Sequence, residues 1–163
     1  MSSVLAQLAT KMEAAIVTKR DNGNYVDNSF TTERTYMPIA TLESIEGKPR
    51  VILIPLPVED TVLTRGNSYQ KDAQVQVGIQ CGVDNSDDDE IDKFLELEEE
   101  IRHTLLQTFT LDTTSIRFSP QSIEPLTDES GTPFNYTGMR EGSVFEVYFT
   151  VTYACVIDNS LGV

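Results

Sequence analysis

Histidine and cysteine are scarce in this chain of 163 residues, which has one histidine, His103, and two cysteines, Cys81 and Cys155. Zinc clusters and relay sites built on imidazole need more of both, so they are hard to assemble within one chain. Basic residues are few as well. Twelve Lys and Arg stand against 26 Asp and Glu, a formal charge of −14 at pH 7. Such a chain is repelled by nucleic acid and anionic lipid, which disfavours binding through a broad basic face. No apolar run approaches the roughly 18 residues of a membrane-spanning helix. Met1-Ser2-Ser3 leads into an Ala/Leu helix pattern rather than a basic segment and apolar core, so neither a membrane-spanning nor a secreted protein is expected. Gly-x-Ser-x-Gly, a phosphate-binding glycine loop and Cys-x-x-Cys are also missing. What is present is ordinary for a globular protein, 39% apolar and 23% charged. The chain should therefore fold, and its length suits a single domain over 1–163.

Leu5, Leu8, Met12 and Ile16 recur at spacings of three and four, which predicts an amphipathic helix over 2–18 that stops near residue 20. Lys19 and Arg20 suit its negative end, and Asn22-Gly23 supplies a left-handed terminator. Nothing periodic follows over 24–28. Residues 35–45 and 50–57 are extended candidates separated by Glu46-Gly47-Lys48-Pro49, a spacing that reads as a hairpin, with Pro38, Pro55 and Pro57 placing its arms at an edge. After a turn-rich connection over 58–68, Ala73, Val75, Val77, Ile79 and Cys81 alternate with Gln74, Gln76 and Gln80, predicting a strand with one buried and one wet face. The run over 84–90 marks the start of a second helix, with Ser86 as its cap and Ile91, Phe94, Leu95, Ile101 and Leu105 as its stripe, interrupted by Glu98. It should reach about Gln107. Residues 111–137, with Pro120, Pro125 and Pro133, read as short strands and loops. Phe145, Val147, Phe149, Val151, Tyr153, Cys155 and Ile157 then form the core phase of a long strand. These elements predict an α+β two-layer sandwich: a mainly antiparallel sheet, two helices packed on one face and a projecting hairpin.

No active site emerges from these residues. Asp84, Ser86, Asp88 and Glu90 alternate like a calcium loop, but Asp89 stands where that loop needs glycine and Leu95 where it needs glutamate. A solvated helix start is the better reading. His103, at the edge of the second helix's stripe, reads as a half-exposed structural residue, since no nucleophile accompanies it. Glu99 and Glu100 fall on the helix's polar face. Cys81 and Cys155 occupy the apolar phase of their strands and read as free core thiols. Neither a catalytic role, a cofactor nor a metal is expected, and the balance moves toward binding or assembly.

Four blocks carry a family resemblance: Arg34-Thr-Tyr-Met-Pro-Ile; Pro49-Arg-Val-Ile-Leu-Ile-Pro; Arg65 followed by the alternating strand to Gly82; and Glu90-Ile-Asp-Lys-Phe-Leu-Glu-Leu-Glu-Glu-Glu-Ile-Arg-His-Thr-Leu-Leu. With the Ala/Leu-rich first helix and the closing Val144-Phe-Glu-Val-Tyr-Phe-Thr-Val-Thr-Tyr, the chain resembles the tail terminator (tail completion) proteins of long-tailed bacteriophages over most of its length. The resemblance implies a virion protein of the neck region, assembled in the host cytoplasm into a homo-oligomeric ring, commonly a hexamer. Such a ring caps the head-proximal end of the tail tube, stops its polymerisation and joins it to the head-completion or connector protein. DNA passes through without specific binding. Expected partner-contacting residues are Arg65, in a connection long enough to be functional, with Asn67 beside it, and Glu46 and Lys48 at the hairpin tip. Two other classes stay open: a different neck, connector or tail-tube subunit, and a small acidic metal-dependent hydrolase using 87–90 with His103.

Overall fold

The computed structural model describes residues 3–36, 48–56, 68–83, 87–107, 116–127 and 144–158. Helix α1 (Val4–Asp21) starts where the Ser3 hydroxyl accepts the Ala6 N–H at 3.1 Å, satisfying one of the donors that a helix start leaves without a partner. It ends as the Asn22-Gly23 pair predicts. Gly23 takes φ 72°, its N–H reaches the Arg20 carbonyl at 2.9 Å, and the Asn24 N–H reaches Lys19 at 3.1 Å, the paired bonds of a glycine-terminated helix. Leu8, Met12 and Ile16 are fully buried beneath it.

Among the described residues five strands form one sheet: β1 (Thr31–Arg34), β2 (Arg50–Leu56), β3 (Ser68–Gly82), β4 (Ile116–Pro125) and β5 (Val144–Asp158), in the order β1-β2-β3-β5-β4. Only the β1–β2 pair is parallel. Strands β3 and β5 pair along all of their length, from Ser68 opposite Asp158 to Gly82 opposite Val144. Their odd-numbered residues, from Ala73 to Cys81 and from Phe145 to Ile157, join α1 and α2 (Asp88–Gln107) in one apolar cluster. Both helices therefore cover the same face: α1 lies over β1, β2 and β3, and α2 over β4 and β5. The α+β sandwich with a mainly antiparallel sheet holds.

The hairpin is corrected. Strand β1, Thr31–Arg34, lies before the expected arm and runs parallel to β2, while β3 occupies the other side of β2. Over Arg50–Leu53 both edges of β2 are thus filled, leaving no place there for an antiparallel arm. Most of the expected arm, 37–45, lies outside the described residues. Pro55 fits this arrangement. The Pro49 and Leu53 carbonyls accept from Thr31 and Thr35 on the β1 side, so Pro55, in the same phase, lacks its N–H where β1 has already ended. Pro120 sits beside a bulge in the edge strand β4, where the register shifts before Ser122.

Two further corrections concern α2. Asp87 caps it, its Oδ1 accepting the Asp89 and Glu90 N–H groups at 3.1 and 3.2 Å, and Ser86 lies outside the described residues. A carboxylate one residue later answers the same unpaired donors and adds charge at the positive end of the helix. Leu97 is fully buried and joins the stripe, whereas Ile91 and Leu95 are only half-buried at its flank.

Candidate assembly surface

Three surfaces surround this core, and each is set by a named group of side chains. The first is the junction of α1 and α2, braced by residues 24–30, of which 24–28 carry no periodic pattern. Tyr25 reaches the Thr104 hydroxyl of α2 at 3.0 Å, and Lys19 of α1 donates to that same hydroxyl at 3.1 Å. The Val26 N–H donates to Glu100 at 2.8 Å, and Lys93 pairs with Asp27 at 3.0 Å. Glu100 is therefore a structural acceptor and not merely a polar-face residue. Burial works to raise the Asp27 carboxyl, but bonds from the Ser29 hydroxyl and N–H, together with Lys93, outweigh it and hold it below its usual range. This brace contributes fully above the ordinary aspartate range and weakens as pH falls through the lowered value.

The second surface is the sheet face opposite α1 and α2. Here Gln74, Gln76, Thr150 and Thr152 are half-buried, and Gln74 donates to Thr152 at 3.3 Å. Ile52, Ile54 and Gln80 on this face are buried, so its wetness is corrected: Gln80 is only 1% exposed. Its amide donates to Glu146 at 2.8 Å and to the Tyr148 hydroxyl at 2.6 Å, and Tyr148 donates to Glu146 at 2.6 Å. Arg50, opposite Gln80 in the register, pairs with Glu33 at 3.1 Å. Burial, then the bond to Glu146, pushes the Tyr148 hydroxyl strongly upward, so it stays a donor. The Tyr148 ring lies across Gly78, and a Cβ there would overlap it.

The third surface is charged. On α2, Asp88, Asp89, Asp92, Glu96 and Glu99 are exposed, with no cation at salt-bridge distance among the described residues. His103 shares that exposed side and is not the half-buried residue expected. At the other end of the sheet order, Arg34 bonds to the Thr10 hydroxyl at 2.7 Å and to the Ala6 carbonyl, neither of which neutralises it. Lys48 is exposed nearby in sequence to β2, and Tyr36, just past β1, is 66% exposed. Of the expected contact residues, Lys48 alone is described; Glu46, Arg65 and Asn67 lie outside the described residues. Nothing in the local sequence marks Arg34 and Tyr36 as surface features, although Tyr and Arg are the side chains that interfaces favour.

Burial, the largest cause for each, pushes both thiols up to about 12, with nearby carboxylates adding to the rise. Cys81 stands opposite Phe145 and Cys155 opposite Lys71. Ten residues of strand separate the two positions, roughly 33 Å, which precludes an internal disulfide. Among the described residues no group of three His, Cys, Asp or Glu side chains could hold a metal. No helix among them is long and apolar enough to cross a membrane.

Glu98 is the one carboxylate folded into the α2 stripe, 7% exposed and paired with Arg102 at 2.9 Å. Burial raises its pKa, against the pull of Arg102 and with a smaller push from Glu99. A proton held more tightly in the folded state means that stability falls as pH rises through the shifted range. Glu98→Gln should therefore gain in thermal midpoint relative to the wild type as pH rises from the ordinary glutamate range through the raised one. A midpoint difference that does not vary with pH would contradict the assignment.

No protein-family model matches this chain, and a search of curated proteins finds no match.

Proposed function

We propose that the chain is a phage virion structural protein that forms a ring on the head-proximal end of the tail tube, stops tube polymerisation and joins the tail to the head connector. The observation that carries this reading is the two-faced subunit. Both helices lie on one side of the sheet, while the other face of its two longest strands is set with Gln74, Gln76, Thr150 and Thr152. Side chains of that kind hydrogen-bond across a protein contact without the desolvation cost of charge. The sequence resemblance to tail terminators, carried by blocks that run from the first helix through to the closing strand, also supports this reading. A ring that DNA traverses is served by a subunit of charge −14, which does not hold phosphate.

Size exclusion with light scattering tests the oligomer. A single species at a ring multiple of the subunit mass, six copies in the hexamer, is the expected result. A monomer at all accessible concentrations would sink the proposal.

A further inference from the structure

We propose that neighbouring copies join head to tail, with the acidic outer side of α2 in one subunit seated against the β1 side of the next, the side that carries Lys11, Arg34 and Lys48. This contact rests on the ring reading above and names the surfaces that would build it. The charge distribution along the sheet points to it. The described residues of the α1–β1–β2 end, 3–36 and 48–56, hold six Lys and Arg against four Asp and Glu. Helix α2, over the β5–β4 end, holds eight carboxylates against two cations.

The surplus on each end is unspent among the described residues. Among the described residues Asp88, Asp89, Asp92, Glu96 and Glu99 have no cation partner, and Arg34 bonds to a hydroxyl and a carbonyl but to no carboxylate. Lys11 and Lys48 have no carboxylate partner among the described residues. Although α1 and α2 pack together, no ion pair joins Lys11, Arg34 or Lys48 to the outer carboxylates of α2 among the described residues. A second copy of this chain carries the complement of each.

Two different patches on one subunit make a heterologous contact, and repetition of such a contact closes into a ring when the rotation permits. Tyr36, exposed beside the cationic edge, supplies the aromatic anchor that such contacts favour. Local attraction must also overcome the repulsion between two subunits that each carry −14. The contact therefore has a characteristic salt response. Raising ionic strength from about 0.1 M to about 1 M shortens the screening length from about 10 Å to about 3 Å and should weaken the ring. Assembly through apolar contact alone would instead tighten as the net repulsion is screened.

Charge swapping gives the decisive test. One variant reverses the helix (Asp92→Lys, Glu96→Lys, Glu99→Lys) and another reverses the edge (Lys11→Glu, Arg34→Glu, Lys48→Glu). Each alone now sets like charges together and should assemble at least about 100-fold more weakly than the wild type, by light scattering and sedimentation. Mixed in equal amounts, the two should recover rings of alternating subunits, because every helix then meets an edge of opposite sign; a hexamer closes with three of each. Rings from either variant alone at wild-type concentrations overturn the contact, as does a mixture that stays dissociated. In both cases a wild-type ring leaves the proposed function standing. A wild-type chain that remains monomeric throughout overturns the ring and this contact together.

Discussion

Tyr153→Ala should lower subunit stability by about 3–5 kcal/mol, the range for removing a large buried aromatic side chain. Tyr153 is fully buried in β5, among the largest side chains of the core. Truncation leaves a cavity between sheet and helix that a rigid strand pair cannot close. The hydroxyl adds a separable part. It donates to the Leu105 carbonyl at 3.1 Å, one of the last four carbonyls of α2 and so without a partner inside the helix. The last turn of α2 holds no basic residue to serve there. Tyr153→Phe keeps the ring and strands that carbonyl, so it should cost about 1–2 kcal/mol. Burial raises the Tyr153 hydroxyl well above its usual range, keeping it a donor across the neutral range. Urea unfolding measures both. A phenylalanine variant as stable as the wild type would mean that this hydrogen bond ties nothing together.

Gly78→Ala should cost about 1–3 kcal/mol, the range for forcing extra volume into a packed site. Glycine is weak in a strand interior and usually marks a close approach. Here the approaching group is the Tyr148 ring, which an alanine methyl would displace. The ring cannot swing freely, since Gln80 and Glu146 both hold its hydroxyl at 2.6 Å. Moving it leaves the buried Gln80 amide short of a partner, which is the larger part of the expected loss. In a Tyr148→Ala background the obstacle is gone, and Gly78→Ala should then be near neutral. Equal costs in the two backgrounds would show that the ring is not what excludes a side chain at this position.

Most of the fold is legible along the chain because its strongest signals are local. Spacing of three and four at Leu8, Met12 and Ile16, a glycine after Asn22, and clean alternation through β3 and β5 each report on neighbours a few residues away. What was misread depends on distant partners. Four residues, Thr31–Arg34, become a strand only because β2 offers a parallel edge, and the Glu46-Gly47-Lys48-Pro49 turn signal drew attention to an antiparallel arm instead. Gln80 looks wet in an alternating strand; Glu146 and Tyr148, 66 and 68 residues away, make its burial possible. The candidate surface was only partly in view for the same reason. Lys48 stands out by its turn, but Arg34 matters through its place at the sheet edge, and the acidic run of α2 reads as a helix start until the topology sets a cationic end opposite it.

Particles assembled without this chain test the proposed role most directly, by negative-stain measurement of tail length and head contents. A terminator sets the end of polymerisation, so its loss should yield overlong tails unattached to heads, beside heads that keep their DNA. Tails of normal length beside heads that have leaked their DNA would contradict the proposal and assign the chain to the connector instead.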